Sequence, residues 1–208
     1  MKIEIIDNFF ETNDFIKLNS VKLRNVESDS VDIYHNTINK AGEVTESCID
    51  KYIIKDLHQK YHEKLLIILK NLDEKKTELY DYSDFTIVHT GKNYKFPIHD
   101  DTPNKLLSGV IYLAPEKNTG TIFYSNKKGS NKNVIDWKPN RAVFFSRKEN
   151  ESWHSYQGDG LSSRVALVYN LMTNRIKDVY KIEKKNYLLG QIRWKLNPYL
   201  YKYFKTVI

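Results

Sequence analysis

One cysteine in 208 residues, Cys48, excludes an intrachain disulfide and a cysteine-rich zinc site. Any metal must then be held by histidine and carboxylate. Long hydrophobic runs are missing too. The longest, Leu65 to Leu69, is far too short to cross a bilayer, so no membrane association is expected. The opening Met1-Lys2-Ile3-Glu4-Ile5-Ile6-Asp7 carries an acid inside its only apolar stretch, and it lacks the apolar core and small-residue cleavage site of a signal peptide. An intracellular, cytoplasmic location is expected. No internal repeat and no low-complexity tract interrupts the chain. What is present is a real core: 40% of the residues are hydrophobic and 28% are charged. The net charge of +7 permits an anionic partner without requiring one, since net charge speaks to solubility and association rather than to fold.

The length suits one domain with a helical extension: support over 1–79, a strand-rich core over 80–172 and a C-terminal helical segment over 173–208. Ile3 to Ile6 reads as a short strand, and Thr12 as the N-cap of a helix over Asn13–Ser20. Residues 24–49 are polar and mixed, and their pattern leaves open whether they form a lid. From Asp50 to Leu72 the apolar residues Tyr52, Ile53, Leu57, Tyr61, Leu65, Leu66, Ile68, Leu69 and Leu72 fall at helical spacing. His58 and His62 lie four apart on that helix, a spacing open to a metal, but a half-buried face is the ordinary outcome.

After Tyr82 the period becomes that of strands: Phe85–His89, Tyr94–Ile98, Leu107–Leu113, Thr121–Tyr124, Val134–Trp137, Ala142–Phe145 and Arg164–Leu171. Turn residues such as Asn118-Thr119-Gly120 and Lys138-Pro139-Asn140 separate them. Short strands at this spacing suggest a sandwich, barrel or jelly roll. Val179 to Phe204 returns to a helical, basic character, with Pro198 expected to break it. Leu188, Leu189, Ile192, Trp194, Leu196 and Tyr199 could pack back on the sheet.

The chemistry gathers around His99-Asp100-Asp101. In an extended chain residues i and i+2 share a face, so His99 and Asp101 can reach one ion while Asp100 points away. His154 stands 53 residues after Asp101, and Arg164 ten residues further on. Two histidines and a carboxylate occupy one face of an octahedral iron and leave the other positions open. A guanidinium buried beside such a metal needs an anion, which a dicarboxylate cosubstrate supplies.

Residues 80 to 171 resemble the double-stranded β-helix core of the Fe(II)- and 2-oxoglutarate-dependent oxygenases, most closely the prolyl 4-hydroxylase-like branch. The resemblance rests on Tyr94-Lys95-Phe96-Pro97-Ile98-His99-Asp100-Asp101, Gly109-Val110-Ile111-Tyr112-Leu113, Gly120-Thr121-Ile122-Phe123-Tyr124, Pro139-Asn140-Arg141-Ala142-Val143-Phe144-Phe145, Trp153-His154-Ser155-Tyr156 and the strand from Arg164 to Leu171. It implies an α+β chain with a jelly-roll, cupin-like core. It implies that His99, Asp101 and His154 bind iron and that Arg164 pairs with the distal carboxylate of 2-oxoglutarate. Tyr112 matches a tyrosine that bonds the same carboxylate in relatives. His89 falls where relatives often place a tyrosine near the cosubstrate. Tyr94 and Phe123 are weaker pocket candidates. The cofactors implied are Fe(II), 2-oxoglutarate and O2, with room for ascorbate. The reaction implied is hydroxylation of a C–H bond, with succinate and CO2 as co-products.

The substrate is not legible. A peptidyl proline is the first expectation, with a free amino acid, a sugar or a lipid-linked group beside it. The nucleic-acid-repair branch would place an asparagine and an arginine where this chain has Ala166 and Asn170, so nucleic acid is not an expected partner. The oligomeric state is open. Two other classes remain: a cupin-like metal enzyme without 2-oxoglutarate, such as an isomerase, and a β-sandwich binding module without a metal. The spacing of Arg164 argues against the first, and the second would make His99, Asp101, His154 and Arg164 a coincidence.

Overall fold

Twelve strands and four α-helices make up the regular structure of residues 1–204, the part of the chain that the computed structural model describes. In chain order these are β1 (Glu4–Ile6), α1 (Thr12–Asn19), β2 (Val31–Tyr34), β3 (Thr37–Asn39), β4 (Val44–Glu46) and α2 (Lys51–Asp73). A 3-10 turn over Glu74–Leu79 follows, then β5 (Tyr82–Thr90), β6 (Lys95–His99), β7 (Lys105–Ala114), β8 (Ile122–Phe123) and β9 (Asn133–Val134). The chain continues through β10 (Ala142–Ser146), β11 (His154–Gln157), β12 (Arg164–Met172), α3 (Ile176–Glu183) and α4 (Tyr187–Phe204). Residues 205–208 of the expected C-terminal segment lie outside the described residues.

All strand pairs are antiparallel. One sheet runs β1-β10-β7-β12-β5-β3-β4, with β2 also on β5, and the other runs β6-β11-β8-β9. From β5 to β12 the chain passes back and forth between the two sheets, staying in one only for the β8–β9 hairpin. That winding is a double-stranded β-helix. Residues 24–49 are not a lid. They supply β2, β3 and β4, which extend the large sheet beyond β5. Asn36 seals the junction between β2 and β3, donating to the carbonyls of Tyr34 and Phe85 and accepting from the Cys48 amide.

Strand parity divides the large sheet into two faces. On β5 and β12 the odd residues Phe85, Ile87, Leu167, Tyr169 and Leu171 pack with Leu57, Leu65, Ile68 and Leu69 of α2 in the main core. The even residues Asp84, Thr86, Val88, Arg164, Ala166, Val168 and Asn170 line an internal cavity between the sheets. The helix pattern read from residues 50–72 holds, and Asp50 caps α2 by accepting from the Tyr52 amide at 2.8 Å.

Two helix-end expectations fail. The residue before α1 is Glu11 rather than Thr12, and no side chain caps it. Pro198 lies inside α4, which continues through it. The break comes earlier, between α3 and α4, where Lys184 adopts a left-handed conformation.

A buried ion network ties these parts together. Lys76 of the 3-10 turn meets Glu183 of α3 at 2.8 Å, and Arg147 meets the other Glu183 oxygen at 2.7 Å. Lys76 also donates to the Arg147 carbonyl. All three side chains are 3% exposed or less, so each charge depends on the others for solvation. Glu183→Ala is expected to cost about 3–5 kcal/mol by stranding two buried cations. Chemical denaturation measures it, and a loss under about 1 kcal/mol would mean that the cations find water instead.

Candidate metal centre

β6 and β11 pair so that His154 lies directly across from His99. The imidazole centres are 4.2 Å apart. Asp101 follows just beyond the end of β6, and its oxygens stand 3.9 Å from His99 Nε2 and from His154 Nε2. One ligand atom from each of the three lies within 4.8 Å of the others, and among the described residues no other such cluster forms.

Local hydrogen bonds orient the two rings. His99 Nδ1 donates to the Pro97 carbonyl at 3.0 Å, and His154 Nδ1 to the Ser152 carbonyl at 2.9 Å. A carbonyl only accepts, so both protons are placed on Nδ1 and both Nε2 lone pairs face the carboxylate. Burial and the adjacent His154 push the His99 imidazole down to about 3, so it is neutral near pH 7. Burial alone would raise Asp101. Lys105 and the two imidazoles outweigh it and hold the carboxyl well below the usual range. The donor set is therefore two imidazole nitrogens and one carboxylate oxygen, which suits a divalent ion such as Fe(II).

Asp101 is held from three directions. Lys105 Nζ meets its Oδ1 at 2.7 Å, Ser108 Oγ donates to its Oδ2 at 2.5 Å, and Arg147 Nε donates to its backbone carbonyl at 3.1 Å. Through Arg147 the metal segment joins the Lys76–Glu183 network. Burial works against the charge of Lys105, but Asp101 more than compensates and raises its pKa.

The triad opens on the internal cavity, of about 330 Å³. Arg164 reaches into the same space from β12 and is 3% exposed. Its guanidinium carbon lies 4.4 Å from the ring centre of Tyr156, 5.2 Å from Trp137 and 5.8 Å from Tyr112. Its Nε has no hydrogen-bond partner, and among the described residues no carboxylate is within ion-pair distance. The rings offset part of the desolvation cost, but a cation caged only by rings remains short of a counter-charge.

Three expected positions turn out differently or only partly as read. Tyr112 is fully buried and stacks on Trp137 at 4.4 Å. Its hydroxyl donates to Thr121 Oγ1 at 3.0 Å and accepts from the Thr121 amide at 2.7 Å, so it stands in the wall beside Arg164 with its one proton engaged. His89 was expected in the cavity. It is an odd residue of β5, on the face of Phe85 and Ile87, and its Nδ1 meets the Arg24 carbonyl at 3.1 Å. Val88 takes the cavity position instead. Tyr94 does line the cavity, whereas Phe123 packs against Phe145 in the wall. His58 and His62 stack at 4.4 Å, with His58 buried against the Tyr169 hydroxyl and pushed down to about 4 by burial. They are structural.

Sequence reasoning missed Lys105, Ser108 and Tyr156. Tyr156 was within reach, since it sits two residues after His154 on one strand. Asp100 was read as pointing away, and it does. Its carboxylate accepts from the Asn150 amide at 2.8 Å and lies 3.4 Å from Arg193 of α4.

No protein-family model matches the chain, and no curated protein matches it. Solved structures do. A prolyl-4-hydroxylase from Pseudomonas putida is similar with a TM-score of 0.54 at 11% identity, over 83% of this chain and 92% of that one. An oxidoreductase of the 2OG-Fe(II) oxygenase family from Burkholderia pseudomallei gives 0.58 at 13%, over 83% and 88%. A Trichoplax adhaerens prolyl hydroxylase in complex with a hypoxia inducible factor peptide fragment gives 0.53 at 14%, over 85% and 86%. At these identities the likeness establishes the fold: a double-stranded β-helix shared with structures described as 2-oxoglutarate oxygenases. No helix of the described residues is long and apolar enough to cross a membrane.

Proposed function

We propose that this protein is an Fe(II)- and 2-oxoglutarate-dependent dioxygenase that hydroxylates a C–H bond, with succinate and CO2 as co-products. The observation that carries the reading is Arg164. A buried guanidinium without an acidic partner, in the cavity that holds a two-histidine, one-carboxylate cluster, calls for an anion supplied from outside. His99, Asp101 and His154 would hold the iron, and Arg164 the far carboxylate of 2-oxoglutarate. When bound, the metal and cosubstrate supply the oxidising chemistry, coupling O2 to loss of CO2 from the keto acid.

The chain's own residues bind and orient. Lys105 and Ser108 fix the Asp101 carboxylate, and the two backbone carbonyls fix the imidazoles. Tyr112, Tyr156 and Trp137 wall Arg164 and keep water from it, which strengthens its grip on an anion. No side chain is required as acid, base or nucleophile. Ascorbate as an accessory reductant belongs to the same reading.

The substrate we favour is an amino-acid residue, peptidyl proline first, in line with the two prolyl hydroxylases among the similar structures. We read 1–208 as one oxygenase domain and place it in the cytoplasm, where the exposed thiol of Cys48 stays reduced. The test is aerobic incubation with Fe(II) and labelled 2-oxoglutarate. Succinate release that depends on both supports the oxygenase. Metal binding without succinate would favour the cupin-like alternative.

A further inference from the structure

The net charge of the chain is concentrated at one end. Residues 184–208 hold six of the 33 basic residues and none of the 26 acidic ones, so nearly the whole net charge of +7 lies in the stretch that carries α4. Charge asymmetry of this kind points to an anionic partner for that stretch. The oxygenase chemistry uses none of these six side chains.

α4 also turns its apolar residues outward. Leu188, Leu189, Ile192, Leu196, Tyr199 and Tyr203 are between 44% and 70% exposed. At about 100° per residue these side chains fall within an arc of about 100°, the width of the stripe by which a helix normally meets a core. Here the stripe faces away from the protein. Lys195 and Lys202, both exposed, run along one edge of it. The opposite side of the helix fixes this orientation. Arg193 is paired with Glu149 and lies 3.4 Å from Asp100. A Cβ on Gly190 would meet the Tyr180 ring at 2.1 Å, so α4 sits this close to α3 only with glycine there. Rolling the stripe inward would break both contacts.

A contiguous apolar face this exposed marks an interaction surface, and the charge beside it says what covers it. A second copy of the chain would bring two purely basic segments together. Nucleic acid would pair with the lysines but gains nothing from Leu188, Leu189, Ile192 and Leu196. An anionic lipid surface takes both kinds of side chain. The aliphatic residues enter the boundary of the acyl chains, the tyrosine rings sit at the level of the headgroups, and the long lysine stems let their ammonium groups reach the phosphates. Lying on a bilayer requires a face rather than a span, and among the described residues no helix is long and apolar enough to span one.

We propose that α4 is a membrane-surface helix, whose outward stripe of Leu188, Leu189, Ile192, Leu196, Tyr199 and Tyr203 lies on an anionic lipid bilayer with Lys195 and Lys202 against its phosphates. This replaces the expectation, drawn from the lack of a long apolar run, that the chain does not associate with membranes. It is independent of the oxygenase reading. The test is co-sedimentation of the full-length protein with vesicles, either of phosphatidylcholine alone or of phosphatidylcholine mixed with phosphatidylserine, at low and at high salt.

The protein is expected to sediment with the phosphatidylserine vesicles far more than with the neutral ones, and less as salt screens the lysines. Replacing both lysines, Lys195→Gln with Lys202→Gln, should weaken binding by roughly fivefold for each charge removed. Ile192→Asp with Leu196→Asp should weaken it by roughly tenfold or more, because two carboxylates then stand where the stripe meets the acyl chains. All four side chains face solvent, so thermal unfolding and Fe(II) affinity should stay those of the wild type. Equal binding to both kinds of vesicle, no binding to either, or binding that either double variant leaves unchanged would each overturn the proposal. So would a dimer in sedimentation velocity that Ile192→Asp dissolves, or binding of an oligonucleotide or of polyglutamate, where no vesicle is bound.

Discussion

Arg164→Leu should leave metal binding intact and remove most of the affinity for 2-oxoglutarate. The guanidinium is 3% exposed, ringed by aromatic side chains, and without an acid among the described residues. Losing one partner of a buried, hydrogen-bonded charge pair costs about 2–5 kcal/mol, which is roughly thirtyfold to several thousandfold in the dissociation constant. The same substitution should not destabilise the fold. Burial already works against the charge of Arg164, and leucine replaces a poorly compensated cation by an apolar group of the kind that Ala166 and Val168 place beside it. Calorimetry with 2-oxoglutarate on the metal-loaded protein reads the first effect, and thermal unfolding of the metal-free protein the second. An unchanged 2-oxoglutarate affinity would remove the reason for calling Arg164 the anion anchor.

Asp101→Ala is the second large effect. The substitution removes the only anionic ligand of the cluster and strips the Lys105 ammonium of the carboxylate that it meets at 2.7 Å, leaving a positive charge beside the metal position. Loss of attraction and new repulsion act together. The fall in Fe(II) affinity should exceed the roughly 10–100-fold that losing a supporting partner of a ligand costs. Ser108→Ala, which removes only a hydrogen bond to that carboxylate, should stay within that range. Metal stoichiometry after gel filtration, with circular dichroism to check the fold, separates the two. Full iron content in Asp101→Ala would contradict the ligand set.

How much of this the sequence carries differs from element to element. His99, Asp101 and His154 were legible because strand parity places i and i+2 on one face and the distal histidine begins another strand. Arg164 was legible from its spacing. His89 was misplaced because β5 is buried on both faces, so no polar alternation marks the cavity side; the large residues Phe85 and Ile87 share its parity and face the helix. Residues 24–49 defeat local reading for another reason. Two of their three short strands, β2 and β3, pair with β5, which lies far along the chain, and β4 joins the sheet only through β3. α4 misled because apolar residues at helical spacing were assumed to face inward. Its inner face is set instead by Arg193 reaching Asp100 and Glu149, contacts between segments more than 40 residues apart.

The central claim is that one cavity holds a metal through His99, Asp101 and His154 and a dicarboxylate through Arg164. The most direct measurement is an anaerobic titration of the protein with Fe(II) and then 2-oxoglutarate, followed by visible absorption. The expected result is the weak charge-transfer band of the chelate, saturating with 2-oxoglutarate, absent in His154→Ala, and requiring far more 2-oxoglutarate in Arg164→Leu. Bound iron with no band at any concentration of 2-oxoglutarate would contradict it, as would a band that His154→Ala leaves unchanged.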